Sequence, residues 1–455
     1  MKPQILACWT IWLALLACLA ASVNVGPAAG DNSPPVERLA IRLMSERGGA
    51  WGNGDSFAAA LSADGAVMVF QSRADNFDED DPNTALDIYL TTLTGAPHLL
   101  SHGADGAADG ESQSPAVSAD GRVVVFESVA GNLTYGDDNH TWDIFAFDAA
   151  TGAIELVSRG LDGPANGPSS QAALSADGRL VVFSSKADNL VANDTNGTAD
   201  IFAYDRQTGQ TTLVSLGMDG LPANRPSNNP AVSADGRLVV FDSWADNLVR
   251  GDTNYMSDVF LLDRQTGVMS RVNLTAAGDE ADRPSQRPVI SADGNVIAYE
   301  SLATNLTPDD TNDTTDVFVY SRESGDVERV SVSTDDQTGN GPSGMAAISA
   351  DGQLIVFASF ADNLALDDDN HSLDIFLRDR RQGITESISS RPGLLANGPS
   401  NNPEISADGR YITFDSVATN LIAGDTNTAI DIFLYDRGAV QTFGPRLYLP
   451  LLRHP

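Results

Sequence analysis

The tetrapeptide Ser-Ala-Asp-Gly occurs seven times and constrains the fold of this chain more than any other feature. Its aspartates are Asp64, Asp120, Asp177, Asp235, Asp293, Asp351 and Asp408. The intervals between them are 56, 57, 58, 58, 58 and 57 residues, so nearly the whole chain is one unit copied in tandem. A fixed period of this length, with several short strands in each unit, is typical of repeat architectures.

Each unit predicts four short β-strands. In the third unit they fall at residues 172–175, 179–185, 200–205 and 210–215, which are rich in Val, Leu, Ile, Phe and Tyr. Asp177-Gly178 and Thr208-Gly209 predict tight turns between strands, because Gly adopts the positive φ that short hairpins need. No sustained 3.6-residue apolar period follows the first thirty residues, so the protein is predicted to be all-β.

Seven units of four antiparallel strands predict a seven-bladed β-propeller, in which every sheet buries its faces against its neighbours around an axis. The sequence VERLAI at residues 36–41 matches VERVSV at residues 327–332, a fourth strand, whereas the seventh unit stops after its third strand. We therefore expect the amino-terminal segment to supply the outer strand of the last blade. That pairing closes the ring and covers two exposed strand edges.

The repeat also resembles a known family. Ser-Ala-Asp-Gly-Arg before an apolar strand, followed by Asp-Ile-Phe-x-Tyr-Asp-Arg, is similar to the WD-repeat-like units of TolB-type propellers of exported bacterial proteins. Those units usually carry Ser-Pro-Asp-Gly and Ile-Tyr-x-x-Asp, and here Ala replaces Pro in all seven copies. The resemblance covers about residues 36–437 and implies the propeller fold, without the separate amino-terminal α/β domain of TolB or its role in envelope maintenance.

The two ends of the chain differ from the repeats. Residues 1–30 combine a basic start, an apolar stretch from Ile5 to Ala21 and small residues after it, which predicts a signal peptide and a short linker. Leu15-Leu16-Ala17-Cys18 loosely resembles a lipoprotein box. We expect a secreted, periplasmic or cell-surface protein whose mature chain has no cysteine and no transmembrane segment. Residues 438–455 form a short apolar tail.

The charge balance excludes one class of partner. The formal net charge is −35, from 62 acidic and 27 basic residues, and such a field repels nucleic acid. It favours solubility and cations, and we expect a monomer. The partner expected from these features is a protein, peptide or glycan.

Every unit carries Asp-x-Asn-x-x-x-Asp in the long loop between its second and third strands. Oxygen ligands at alternate positions of a turning loop are what Ca²⁺ prefers, so these residues are candidate Ca²⁺ ligands. The alternative is that Asp and Asn cap turns by bonding loop amides. The seven sets are Asp81, Asn83 and Asp87; Asp137, Asn139 and Asp143; Asp194, Asn196 and Asp200; Asp252, Asn254 and Asp258; Asp310, Asn312 and Asp316; Asp368, Asn370 and Asp374; and Asp425, Asn427 and Asp431.

One local anomaly stands out among the acidic loops of the fourth and fifth units, where an aromatic residue accompanies several arginines. Such a group can stack a sugar or clamp a carboxylate. Alternatively the arginines pair with neighbouring aspartates. The candidate ligand-binding residues are Trp244, Arg225, Arg250, Arg283 and Arg287.

Seven near-equivalent units with no convergent catalytic set predict a non-enzymatic binding or scaffold protein, with its ligand on the acidic loop face and Ca²⁺ as a stabilising ion. No paired Ser and His is visible, and His140 and His371 occupy the same slot in units that a ring holds apart. Two alternatives stay open: a glycan-acting lyase or hydrolase that uses acidic loop residues, and a structural component of the cell envelope.

Overall fold

The computed structural model describes residues 41–439 except 104–105, 367 and 391–394. The predicted signal peptide, residues 36–40 and nearly all of the predicted apolar tail lie outside the described residues. Within them the chain forms seven four-stranded antiparallel sheets, which confirms the seven-bladed propeller.

In blades 1 to 6 the four strands follow one another from the axis outward in chain order, and in blade 7 the first three do. The inner strands are Ser56–Leu61, Ser112–Val117, Ser169–Leu174, Ser227–Val232, Ser285–Ile290, Ser343–Ile348 and Ser400–Ile405. The second strands are Val67–Ser72, Val123–Ser128, Leu180–Ser185, Leu238–Ser243, Val296–Ser301, Leu354–Ser359 and Tyr411–Ser416. The third strands are Asp87–Thr92, Asp143–Asp148, Asp200–Asp205, Asp258–Asp263, Asp316–Ser321, Asp374–Asp379 and Asp431–Asp436. The outer strands of blades 1 to 6 are His98–Leu99, Ala153–Leu156, Gln210–Leu213, Val268–Arg271, Asp326–Arg329 and Ile384–Ser387.

The outer strand of blade 7 is Ile41–Leu43, which confirms the predicted closure by the amino-terminal segment. The strand lies five residues later than the match of residues 36–41 with residues 327–332 predicts, because Leu43 takes the place of Arg329 opposite the third-strand aromatic. It pairs antiparallel with Asp431–Asp436, with Leu43 opposite Phe433. The Ser45 hydroxyl donates to Asp431 Oδ1 at 2.6 Å, 386 residues away in sequence. Because the same blade is made from both ends of the chain, opening the ring requires breaking a sheet.

The apolar core lies between blades, and this explains the composition of the second strands. Leu180–Ser185 is buried at all six positions because both faces of the strand contact neighbouring sheets. One core cluster joins Val182 and Ile201 of blade 3 to Phe241 and Phe260 of blade 4. In every blade an aromatic pair on the second and third strands stacks with ring centroids 5.8–6.0 Å apart.

The inner strands begin earlier than the sequence predicts and contain a bulge. In blade 3 the strand is Ser169–Leu174, and its register shifts between Ser170 and Ala173. The residue inside the bulge, Gln171, has φ +57°, in the left-handed region. All seven inner strands repeat this conformation, at Ala58, Ser114, Gln171, Asn229, Arg287, Met345 and Asn402. The sequence hid the bulge because none of these residues is Gly, the usual residue for positive φ.

A ring of main-chain hydrogen bonds joins the Ser-Ala-Asp-Gly turns around the axis. The alanine N–H of each turn donates to the alanine carbonyl of the next blade, at 2.9–3.1 Å. The seven donors are Ala63, Ala119, Ala176, Ala234, Ala292, Ala350 and Ala407, and the last donates back to Ala63. Proline has no N–H, so the ring requires a residue other than Pro at this position, and Ala fills it in all seven turns.

The rest of each turn is held by its own side chains. In blade 3 the Ser175 hydroxyl donates to Asp177 Oδ1 at 2.6 Å and accepts the Leu180 amide at 3.0 Å. Gly178 has φ +67°, and a Cβ there would lie 2.7 Å from Val123 of the preceding blade. The turn therefore needs Gly both for its backbone conformation and for blade packing, and the aspartate is a structural residue.

The connections divide between two faces of the propeller. The turn face carries the Ser-Ala-Asp-Gly turns and the turns between third and outer strands. The loop face carries the long loops between second and third strands and the loops between blades. Three inter-blade loops form two-stranded ladders: Glu46–Arg47 with Ala50–Trp51, His102–Gly103 with Gly106–Ala107, and Arg159–Gly160 with Gly163–Pro164. The described residues include one 3₁₀ helix, Arg437–Ala439, and no helix long and apolar enough to cross a membrane.

The alanine ring makes a direct prediction about Ala234. Replacing Ala234 with Pro removes one N–H donor and leaves the Ala292 carbonyl without its partner, so we expect a loss of about 1–2 kcal/mol of unfolding free energy. Denaturant unfolding measures the effect. Ala234→Ser, which keeps the N–H, is the control, and equal stability of the two variants would contradict a stabilising ring.

Candidate functional site

The long loops of the loop face are built from a first aspartate, a central asparagine and a last aspartate, and blade 3 shows how they are held. Asn196 Nδ2 donates to the last aspartate, Asp200, and to the Ala223 carbonyl at 2.7 Å. Asn196 Oδ1 accepts the Thr198 amide at 3.0 Å. The asparagine thus fixes the loop to the inter-blade loop through its own hydrogen bonds, and the same pattern recurs at Asn139, Asn254, Asn312, Asn370 and Asn427.

The last aspartate of each loop starts the third strand and is fully buried. Its Oδ1 accepts a hydrogen bond from the residue just after the outer strand, as in Ser215 to Asp200 at 2.5 Å. Ser45 occupies this position in blade 7 and Asn273 in blade 4. Burial raises the pKa of this carboxyl to about 6, at Asp87, Asp143, Asp200, Asp316 and Asp431.

In two blades an arginine lies between the first and last aspartates. Arg271 Nη1 lies 3.3 Å from Asp252 Oδ1 and 3.0 Å from Asp258 Oδ2, and Glu280 adds a third carboxylate at 2.8 Å. Arg329 Nη1 lies 3.1 Å from Asp310 Oδ1 and 3.7 Å from Asp316 Oδ2. In blade 1 the Tyr89 hydroxyl donates to Asp81 Oδ2 instead.

The loop motif alone does not indicate that Arg271 and Arg329 belong to the site. A sequence signal for the two arginines does exist. The outer strands VMSR and DVER end in Arg, whereas the outer strands of the other blades end in Leu or Ser. Within the described residues, no group of three or more His, Cys, Asp and Glu side chains gathers in a way that could hold a metal ion. A cation in these loops would therefore rely on two carboxylates and main-chain oxygens.

The five candidate ligand-binding residues divide among three places. Trp244 and Arg225 lie together on the loop face of blade 4, where Arg225 pairs with Asp246 at 3.5 Å and lies over the Tyr255 ring. Arg283 pairs with Asp313 on the same face of blade 5.

The other two arginines lie elsewhere. Arg287 belongs to the inner strand of blade 5, lines the central channel and lies 3.6 Å from Glu300. Arg250 lines a groove of about 1170 Å³ between blades 3 and 4 at the perimeter. The sequence predicted one cluster of all five residues, because it does not show how far apart the inner strand and the long loop lie in space.

The loop face carries an arc of exposed apolar side chains, one from each of four consecutive blades. They follow the last Ser of the second strand, and the amide of each donates to the proline carbonyl just before the inner strand of its blade. Their exposed fractions are 41% for Trp244, 38% for Leu302, 53% for Phe360 and 37% for Val417. In blades 1 and 3 the same position is charged, as Arg73 and Lys186.

The central channel, of about 470 Å³, is lined by the inner strands of all seven blades. Around it, polar side chains of second strands accept the amide of the bulged residue in the next blade. Glu127 accepts from Gln171 at 2.6 Å, Glu300 from Met345 at 2.7 Å and Asp415 from Ala58 at 3.2 Å. The sequence signal was a polar residue before the last Ser of an otherwise apolar strand, and these carboxylates serve blade packing.

No protein-family model and no curated protein matches the chain. Solved propellers match it in fold. An oligogalacturonate lyase in complex with manganese is 14% identical over 84% of this chain and 90% of that chain, with a TM-score of 0.52. The β-propeller domain of the Trilobed protease from Pyrococcus furiosus is 10% identical over 84% and 95%, also with a TM-score of 0.52. TolB from Acinetobacter baumannii is 16% identical over 77% and 66%, with a TM-score of 0.41. At these identities the first two matches show the fold alone.

Buried Asp242 beside the channel predicts a pH dependence of stability. Burial raises its pKa to about 6, although Asn229 and the Arg287 amide donate to it. In the unfolded chain an aspartate titrates near ~3.9, so this group stabilises the fold most below that pH, and its contribution falls as the pH rises through 6. Between pH 5 and 7 we expect the native chain to lose about 1 kcal/mol more unfolding free energy than Asp242→Asn.

Denaturant unfolding of both proteins at pH 5 and pH 7 measures the difference. The asparagine keeps an oxygen that accepts both hydrogen bonds, so the variant isolates the charge. Identical pH dependence of the two proteins would show that Asp242 titrates at its ordinary pKa in the fold.

Proposed function

We propose that this propeller is an exported, non-enzymatic binding module whose loop face holds a protein or peptide ligand at the arc formed by Trp244, Leu302, Phe360 and Val417. The observation that carries the proposal is the exposure of these four side chains on consecutive blades. Exposed large apolar side chains with polar surroundings are typical of interaction sites, and Trp is a frequent energetic anchor of interfaces.

The surroundings of the arc favour a ligand of mixed character. Acidic loop residues surround the arc, and the net charge of the chain is −35. Arg225 is already paired with Asp246, and Arg283 with Asp313, so both arginines are committed to acidic neighbours on this face. A ligand with apolar side chains at its centre and basic ones at its margin fits such a face.

A glycan is the second ligand class. Trp244 and Tyr255, exposed by 41% and 64%, lie on the same blade and offer flat apolar surfaces of the kind on which sugar rings stack. The leader-like composition of residues 1–30 supports export to a compartment where either ligand class occurs.

An enzymatic role on glycans is the rival reading, and one of the solved structures similar in fold is a lyase. The histidines of this chain offer that chemistry little support: His140 and His371 lie on blades 2 and 6, and His371 is paired with Asp362 at 3.6 Å. The rival predicts product formation, which binding alone does not.

The test is a selection of binders from a peptide library displayed on phage, together with titration of a panel of neutral and basic oligosaccharides. For the best binder we expect Trp244→Ala and Phe360→Ala each to raise the Kd at least tenfold, because both remove an anchor of the arc. Chromatography of the oligosaccharides after incubation reports any turnover.

Val268→Ala is the matched control, since Val268 is 60% exposed on the outer strand of blade 4, away from the arc. Binding that tolerates both arc substitutions, or that is weakened equally by the control, contradicts the proposal. Cleavage of an oligosaccharide would favour the enzymatic reading instead.

A further inference from the structure

The seven blades differ at one position of the outer strand, and this position decides the charge of the loop beside it. Opposite the third-strand aromatic, blades 4 and 5 carry Arg271 and Arg329. Blades 2, 3 and 7 carry Leu156, Leu213 and Leu43 at the same register. The aspartate pair is nevertheless present in all of them.

The arginine blades show what the space between the two aspartates accommodates. One guanidinium nitrogen of Arg271 lies within 3.3 Å of both Asp252 Oδ1 and Asp258 Oδ2. The guanidinium also donates to a main-chain carbonyl just before the first aspartate, at Gly251 in blade 4 (3.3 Å) and Asp309 in blade 5 (2.9 Å). The loop therefore brings two carboxylate oxygens and a carbonyl oxygen to one positively charged centre.

In the leucine blades the corresponding oxygen has neither a hydrogen-bond donor nor an ion-pair partner among the described residues, whereas Asp310 Oδ1 of blade 5, which also accepts no hydrogen bond, lies 3.1 Å from Arg329 Nη1. Oδ1 of Asp137, Asp194 and Asp425 is buried and accepts no hydrogen bond within the described part of the chain. This is the same atom that faces the guanidinium in blades 4 and 5. Asp137 and Asp194 are each only 7% exposed, so bulk water does not replace the missing partner.

The remaining contacts fix these aspartates without neutralising them. In blade 2, Asn139 Nδ2 donates to Asp143 Oδ2 at 2.6 Å, and Ser158 donates to Asp143 Oδ1 at 2.5 Å. Both donors are uncharged. Two adjacent buried carboxylates without a positive charge between them are unfavourable in a medium of low dielectric constant. In blades 4 and 5 an arginine side chain supplies that positive charge.

We propose that blades 2 and 3 each bind one Ca²⁺ ion between the first and last aspartates, in the place that a guanidinium occupies in blades 4 and 5. The unpartnered oxygen of Asp137 or Asp194 is its principal ligand, with Asp143 or Asp200 opposite. An all-oxygen donor set of carboxylates and main-chain carbonyls is the kind Ca²⁺ takes.

The proposal deepens the expectation of Ca²⁺ in the loops by dividing the blades into those that need the ion and those that do not. It concerns the loops alone and holds whether or not the arc binds a ligand. With only two carboxylates in each site, we expect dissociation constants on the order of 10⁻⁴–10⁻³ M, as in extracellular Ca²⁺ modules.

Equilibrium dialysis of the chelator-treated protein against ⁴⁵Ca²⁺ at neutral pH counts the ions bound per chain. Leu213→Arg supplies blade 3 with the arginine of blade 4, and Asp194→Asn removes the principal ligand, so each is expected to lose one site relative to the native chain. Leu156→Arg repeats the replacement in blade 2 and covers the case in which one variant fails to fold.

Asp252→Asn is the matched control, because it changes the same loop position in a blade that holds arginine, and it is expected to leave the number of sites unchanged. Binding of no Ca²⁺ by the native protein overturns the proposal. An unchanged count in folded Leu213→Arg and Leu156→Arg, or an equal loss in Asp252→Asn, also overturns it.

Discussion

Closure of the ring is the constraint on which the rest of the structure depends. Seven main-chain hydrogen bonds from alanine to alanine run around the axis on the turn face, and the last returns from Ala407 to Ala63. Further out, Ile41–Leu43 completes blade 7, and Met44 joins a core cluster with Ile432 of blade 7 and Phe70 of blade 1. Each blade buries its faces only against its neighbours, so a gap anywhere would expose two apolar sheets to water.

The loop face depends on this closure. In blade 7 the last aspartate, Asp431, is held by Ser45, and its loop asparagine donates to the Gly52 carbonyl. Both partners come from the other end of the chain, yet they reproduce contacts that Ser215 and Ala223 make in blade 3. A common scaffold thus presents seven nearly identical loops, and function is left to the few positions at which they differ: the exposed residue after the second strand and the residue opposite the third-strand aromatic.

Much of the fold could be predicted from the sequence, because its signals are local and repeated. The Ser-Ala-Asp-Gly period predicted the blades, and the missing fourth strand of the seventh unit predicted closure by the amino-terminal segment. The match of residues 36–41 with an outer strand placed that strand five residues too early, since the structure has it at Ile41–Leu43. The sequence predicts that the inner strand of blade 3 begins at residue 172, which is three residues too late. The cause is the bulge at Gln171, because Gln is not a residue type that indicates a positive φ. The role of Ala in place of Pro could not be predicted from the sequence, because the carbonyl that accepts its N–H lies on another blade.

The candidate site was less accessible to sequence reasoning. The spacing of Asp194, Asn196 and Asp200 suggested three equivalent ligands, whereas in the structure the asparagine is committed to the Thr198 amide and the Ala223 carbonyl. The role of Arg271 depends on a register across two strands and a loop, which no local pattern encodes. Arg287 is close in sequence to Arg283, which suggested a shared site, but its strand lines the channel.

Hydrogen exchange at the seven ring alanines tests the closed ring most directly. In the full chain we expect the amides of Ala63 and Ala407 to exchange as slowly as those of Ala119, Ala176, Ala234, Ala292 and Ala350, because each donates one equivalent bond in a continuous ring. In a chain that begins at residue 44, Ala407 should lose its protection first, because its bond crosses the junction between blades 7 and 1. Rapid exchange of Ala407 in the intact protein, or its full protection after removal of Ile41–Leu43, would contradict this account.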